Sequence, residues 1–347
     1  VIYKLEPEEL FEKYYNNSTH KIIDVRSPGE FAQGHIPGAY NVPLLSDDAR
    51  VLVGTMYKNQ GKSQAVALGF EIVTPNIADL INQAKKIAPE NKIIVYCARG
   101  GMRSRSVAQL LDEHGFCVKL LFGGYKLAKN YLREQGKIPR KITILSGKTG
   151  SGKTKILHEL KKLGEQVLDL EALANHRGSV FGDLGMQAQP TQQQFALACY
   201  MQWISFDSKK TIFIEDESKR VGNCFVPDEI FEQMQPASRL FINISCEMRI
   251  NNLVQEYGIY PVEQIKLCVM QLSKRLGGAC TKELISLLEQ NNLHEFLGIL
   301  LEYYDKKYVH DITQKNKFSV KTVQLLSKSF IDQAKECLNT CSNVLGI

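Results

Sequence analysis

Short apolar runs, each bounded by glycine, proline or charged residues, alternate along most of this chain with segments whose apolar residues recur every three to four positions. Lys21–Val25, Lys92–Tyr96 and Val118–Phe122 read as strands, the last closed by Gly123 and Gly124, and Arg103–His114 reads as a helix. Strands apolar on both faces belong to a parallel sheet covered by helices on either side. The alternation resumes after the polar segment Glu134–Lys141, whose Gly and Pro mark a domain boundary. Ile142–Leu145, Gln166–Leu170, Thr211–Asp216 and Arg239–Ser245 read as strands, and Lys153–Leu163 as a helix. From Cys246 onward the spacing is mainly helical, over 262–276, 282–290, 293–303 and 324–338. The pattern predicts an α/β domain over 1–135, a second α/β domain over 136–245 and a mainly helical extension over 246–347.

With 347 residues, 44% apolar and 23% charged, the chain has material for two or three full-sized cores. No apolar stretch approaches the ~18 residues of a membrane span. Val1–Pro7 lacks the basic and apolar segments of a secretory signal. Nine cysteines without a Cys-x-x-Cys pair point to a reducing compartment, so a cytoplasmic protein is expected. Cys337 and Cys341 lack a second ligand pair, so they read as packing residues and no structural metal is expected. The net charge of +6 permits a nucleic-acid partner without requiring one.

Two motifs carry candidate chemistry. Cys97 ends an apolar strand and is followed by Ala98, Arg99, Gly100, Gly101, Met102 and Arg103 at the start of a helix. Backbone N–H groups in such a turn, aided by the helix N-terminus, hold an anion and lower a thiol pKa. Arg99 and Arg103 add fixed charge, and the Arg103 fork suits an oxyanion. Cys97 is the candidate nucleophile, and residues 99–103 form its anion loop. The second motif, Gly147, Lys148, Thr149, Gly150, Ser151, Gly152, Lys153 and Thr154, is a complete phosphate-binding loop between strand and helix. Its backbone can hold a di- or triphosphate, Lys153 supplies a point charge, and Thr154 can ligate Mg2+. Glu215 and Asp216 end an apolar strand, and Asp216 is the candidate for a second Mg2+ contact. A diphosphate ester satisfies the same cradle as ATP.

The run Asp24-Val-Arg-Ser-Pro-Gly-Glu-Phe-Ala-Gln-Gly-His-Ile-Pro-Gly-Ala-Tyr-Asn41 resembles the rhodanese-domain signature. The resemblance covers about residues 5–135. It implies a rhodanese-like α/β fold in which Cys97 carries sulfur or selenium. Within it Asp24, Arg26, Glu30 and His35 read as hydrogen-bonded braces. Arg103 follows Cys97 by six positions where common rhodanese loops have five, a spacing shared with rhodanese-related phosphatases. The longer loop predicts a cradle wide enough for a tetrahedral phosphorus group. Tyr96 stands where those phosphatases place a His.

Further segments, Asp169-Leu-Glu-Ala-Leu-Ala-Asn-His-Arg-Gly-Ser179, Phe181-Gly182, Gln189-Pro-Thr-Gln-Gln-Gln-Phe195 and Glu215-Asp-Glu-Ser218, join the two motifs in resembling the bacterial tRNA 2-selenouridine synthases. That resemblance implies a rhodanese-like domain followed by a P-loop NTPase-like domain with a mainly helical C-terminal part. It implies a transferase that alkylates wobble 2-thiouridine of tRNA with geranyl diphosphate, then replaces the geranylated sulfur with selenium from selenophosphate. Cys97 would carry selenium as a selanyl-cysteine. Arg99, Arg103 and the Gly100–Gly101 backbone would hold selenophosphate, and Gly147–Thr154 the geranyl diphosphate, with Mg2+ as a further cofactor. His176 and Arg177 are candidate substrate contacts; Phe181, Met186, Phe195 and Trp203 are candidates for the geranyl pocket. Lys155, Lys161, Lys162, Arg249, Lys266, Lys274 and Arg275 are candidate tRNA contacts. The enzyme that produces selenophosphate is a further expected partner, and no membrane partner is expected. The competing readings are a cysteine phosphatase or sulfurtransferase with a nucleotide-binding regulatory domain, a kinase-like P-loop enzyme, and a non-enzymatic binding module.

Overall fold

The computed structural model describes residues 2–15, 19–314, 320–325, 327 and 329–345. Its chain divides into two compact units, Val1–Gln135 and Gly136–Ile347.

The first unit is built on strands β1 (Tyr3–Leu5), β2 (Lys21–Asp24), β3 (Tyr40–Asn41), β4 (Lys92–Tyr96) and β5 (Cys117–Leu121). They pair in the order β1-β5-β4-β2-β3, all parallel. β4 is central, and Ile93–Tyr96 are buried, so it reads as continuously apolar. Ile93, Val95 and Cys97 share a core with Leu80, Ala84, Val107 and Leu111 from the helices Ile77–Ile87 and Met102–Glu113. From β2 the chain passes to β3 on one side, then returns through β4 on the other. That reversal opens a crevice at the C-terminal ends of β2 and β4, where open α/β sheets bind ligands.

The second unit contains β6 (Ile142–Gly147), β7 (Gln166–Leu168), β8 (Ile212–Glu215), β9 (Arg220–Val221), β10 (Cys224–Phe225), β11 (Ser238–Asn243) and β12 (Val320–Gln324). Its main sheet is parallel in the order β12-β11-β6-β8-β7, and β9 and β10 form a small antiparallel pair. The helix Lys153–Lys162 buries Ile156, Leu157 and Leu160 in the sheet's core. The helices Cys246–Tyr257, Val262–Leu276, Gly278–Glu289 and Leu293–Gln314 enclose a second core around Leu253, Val269, Leu284 and Phe296. They are inserted between β11 and β12, which are neighbours in the sheet. No helix among the described residues is long and apolar enough to cross a membrane.

Two elements depart from the pattern. The helical spacing over 324–338 does not begin a helix at 324; the chain forms the edge strand β12 up to Gln324, and the helix runs over Phe330–Leu345. Residues 326 and 328 lie outside the described residues. The strand expected over Gln166–Leu170 stops at Leu168, because the Asp169 side chain accepts the Ala172 N–H and caps the helix Leu170–Ala174.

Candidate functional site

In the first unit, Cys97 sits immediately after β4 and is 3% exposed. Its Sγ lies 3.1 Å from the hydroxyl of Ser104, itself fully buried in the helix Met102–Glu113. Burial pushes the thiol up. Hydrogen bonds from the Ser104 hydroxyl and from the N–H groups of Arg99, Ser104 and Gly101 more than offset it, so the pKa lies below the ordinary thiol value.

A second turn holds this loop in place. Gly124 has φ of +57°, and a Cβ there would stand 2.2 Å from the Cys97 carbonyl oxygen and 2.6 Å from the Gly100 nitrogen. The close approach lets the Tyr125 and Lys126 N–H groups donate to the carbonyls of Cys97 and Ala98 at 2.9 and 3.0 Å. The sequence marked Gly123 and Gly124 only as the end of a strand.

The charged groups of the loop divide. Arg99 and Met102 are exposed. Arg103 presents its fork to Glu30, at 2.6 Å from Nη1 to Oε2 and 3.2 Å from Nη2 to Oε1. Burial raises the Glu30 carboxyl, but Arg103 and the Ser27 N–H outweigh it and hold the group below its ordinary value. Any anion at Arg103 therefore shares that guanidinium with Glu30. Asp24 and Arg26 form a buried pair with Nη2–Oδ2 of 2.6 Å, and Arg26 also donates to the Gly34 carbonyl. His35 stacks on Phe31 with ring centroids 3.7 Å apart. Tyr96 is buried, and its hydroxyl oxygen accepts the Ile36 N–H at 3.2 Å.

In the second unit the phosphate loop joins β6 to the helix Lys153–Lys162. Gly150 and Gly152 take φ of +80° and +79°; a Cβ on Gly152 would meet the Phe330 ring at 2.6 Å. Lys153 Nζ donates to the Gly147 carbonyl at 3.0 Å and lies 3.6 Å from Glu215. The Thr154 hydroxyl lies 2.9 Å from Glu215 and 3.2 Å from Glu171. Of the two acidic residues expected here, Glu215 is the one against Thr154; Asp216 also lines the cavity, and its carboxylate accepts the Ser146 hydroxyl at 2.8 Å. Glu215 is the last residue of β8 and faces Thr154, whereas Asp216 lies just beyond the strand.

Glu171, Glu215 and Glu217 bring carboxylate oxygens within 4.8 Å of one another. Burial, then the charges of Glu215 and Glu217, push Glu171 up to about 9. Burial and Glu215 push Glu217 up to about 8. Such crowding calls for a proton or a cation, and with Thr154 the oxygen-only donor set suits Mg2+. Glu171 and Glu217 lay within segments read for other residues; their sequence signal was proximity to His176 and Asp216.

These groups line a cavity of about 570 Å³ with Arg177, Asn252, Leu253, Tyr257 and Tyr304. Arg177 is held there by the Leu184 carbonyl and the Tyr260 hydroxyl, at 2.9 and 3.1 Å. His176 lines a different cleft, with Met186 and Gln189. Phe181, Phe195 and Trp203 are buried core residues at 1% exposure or less and do not line the phosphate cavity. The apolar wall there comes from Leu253, Tyr257 and Tyr304, on the inserted helices. Arg249, expected to meet RNA, is buried: it donates to the Thr149 carbonyl at 2.8 Å and pairs with Asp305, which also holds Lys148. Lys266 is paired with Glu263 and Glu289.

The family model described as the tRNA 2-selenouridine synthase AAA domain matches residues 140–336, and the rhodanese-like domain model matches residues 6–131. A tRNA 2-selenouridine synthase of Nitrosomonas europaea is 36% identical over 288 residues, covering 80% of this chain and 74% of that protein. Synthases of the same name from Psychromonas ingrahamii and Bdellovibrio bacteriovorus are 33% and 32% identical, each covering 90% of this chain and 93% of the relative.

Proposed function

Because the chain belongs to the tRNA 2-selenouridine synthase family, we propose that it converts wobble 2-thiouridine of tRNA to 2-selenouridine in two steps, one served by each unit. The carrying observation is a pairing. One chain holds a thiol of lowered pKa in an anion loop and a phosphate cradle whose cavity has an apolar wall.

In the first step the thiocarbonyl sulfur attacks C1 of geranyl diphosphate. An S–C bond forms, the C–O bond breaks, diphosphate leaves with the bonding pair, and the uracil N3 proton passes to solvent. Lys153 and the loop N–H groups stabilise the departing charge, while Leu253, Tyr257 and Tyr304 receive the prenyl chain. Thr154, Glu171, Glu215 and Glu217 would hold Mg2+, which supplies further neutralisation of the diphosphate.

In the second step the alkylated sulfur leaves as geranyl thiolate, a better leaving group than sulfide. Arg99, Arg103 and the loop N–H groups hold the phosphate of selenophosphate, and Cys97 carries the selenium. Phosphorus departs as phosphate only if selenium leaves it as selenide. Forming the S–Se bond on Cys97 then releases two electrons, which a thiol–disulfide couple accepts. On delivery a C2–Se bond forms as the C2–S bond breaks, and the same couple returns two electrons as the S–Se bond is cleaved.

The test is mass analysis of nucleosides from thiolated tRNA incubated with the protein, geranyl diphosphate, selenophosphate and a thiol–disulfide buffer. Cys97→Ala is expected to abolish selenium incorporation while S-geranylation persists. Lys153→Ala is expected to slow geranylation about 100-fold. Unaltered tRNA from the complete wild-type mixture would overturn the proposal, as would equal loss of both products in a folded Cys97→Ala protein.

A further inference from the structure

A second cleft, of about 560 Å³, lies on the helix that follows the phosphate loop. Lys155, His158, Glu159, Lys161, Lys162 and Phe330 line it. Residues 155, 158, 159 and 162 fall at helical spacing on one stripe, while Ile156, Leu157 and Leu160 take the buried face. The lining sets three lysines against one glutamate, and that glutamate is engaged by Lys162 at 2.7 Å. Neither Lys155 nor Lys161 meets a carboxylate among the described residues; the Lys155 ammonium lies 5.1 Å from the centre of the Phe330 ring. Lys155 and His158 line this cleft and the phosphate cavity alike, so the two adjoin.

We infer that this cleft is the entry track for the RNA strand bearing the nucleotide to be alkylated. This deepens the tRNA reading above and rests on it. Lys155 to Lys162 spans ~10 Å along the helix, enough for ammonium groups to follow a phosphodiester chain. Phe330 supplies the flat apolar face on which an unstacked loop base rests. An acidic protein partner would use the lysines but would have no need of an aromatic ring at the rim or of a cleft that adjoins the phosphate cradle.

The experiment measures dissociation constants of full-length protein and thiolated tRNA across a salt series. Lys161→Ala/Lys162→Ala changes two exposed side chains outside the phosphate cavity, so an unchanged Tm serves as the folding control. It should weaken binding roughly tenfold at low salt and reduce the slope of log K against log salt by about one per lysine. Phe330→Leu should leave the slope intact and weaken binding about tenfold. A double variant with wild-type slope and affinity overturns the inference and leaves the synthase proposal standing. A wild-type protein that binds no tRNA overturns both.

Discussion

At Cys97, burial and hydrogen bonding act in opposite directions, and the hydrogen bonds prevail. Ser104→Ala removes the strongest of them, so the thiol pKa should rise and the midpoint of iodoacetamide alkylation should move to higher pH. An unmoved midpoint would assign the thiolate to the backbone N–H groups alone. The opposite imbalance holds in the second unit, where Glu171 and Glu217 are raised from the ordinary 4.5 to about 9 and about 8. Between those values the folded chain binds protons that the unfolded chain has released, so stability falls as pH rises through that window. Thermal denaturation in a chelator should show Tm dropping from pH 6 to pH 9, and Glu171→Gln should flatten the drop; equal slopes would contradict this account. Of these partners Glu215 was legible as the acidic end of an apolar strand, and Glu171 and Glu217 were not. Ser104 closes the motif, but the return of its hydroxyl to the thiol is set by the helix Met102–Glu113, and which of Glu215 and Asp216 meets Thr154 is set by the end of β8.

At the scale of elements, apolar runs located the strands that carry both motifs, because β4 and β6 are central and covered on both faces. They missed β12, whose segment Val320–Gln324 is an edge strand with only Val323 buried. They also left the inserted helices without a role. Those helices reach the phosphate loop through Arg249, which pairs with Asp305, and Asn252, which donates to the Gly150 carbonyl at 2.9 Å. Burial made Arg249 a brace where charge had suggested an RNA contact. Asp305→Ala leaves that guanidinium without its carboxylate and frees Lys148. It should cost roughly 1–3 kcal/mol of stability and weaken geranyl diphosphate binding; unchanged affinity would separate the brace from the cradle.

For the whole molecule, each unit has its own sheet and its own core. A mixture of the Cys97→Ala and Lys153→Ala proteins should therefore yield 2-selenouridine, the first supplying geranylated tRNA and the second completing it. No product from the mixture, with both variants folded and each retaining its own half-reaction, would mean that the intermediate does not pass between molecules. Two domains and their order were legible because each motif follows its own buried strand. The mainly helical character of the last hundred residues was legible too; that their helices are an insertion ahead of the short strand Val320–Gln324 was not.

That insertion sets a condition on synthesis. β11 is flanked by β6 and by β12, and about eighty residues separate its end from the strand that shields its outer side. A ribosome that has delivered the phosphate loop and all four inserted helices still holds a chain with an uncapped row of amides and carbonyls. A stop codon just after residue 314 would leave every residue named in either step in place. It would nonetheless produce a protein prone to pair with its own copies along that open edge.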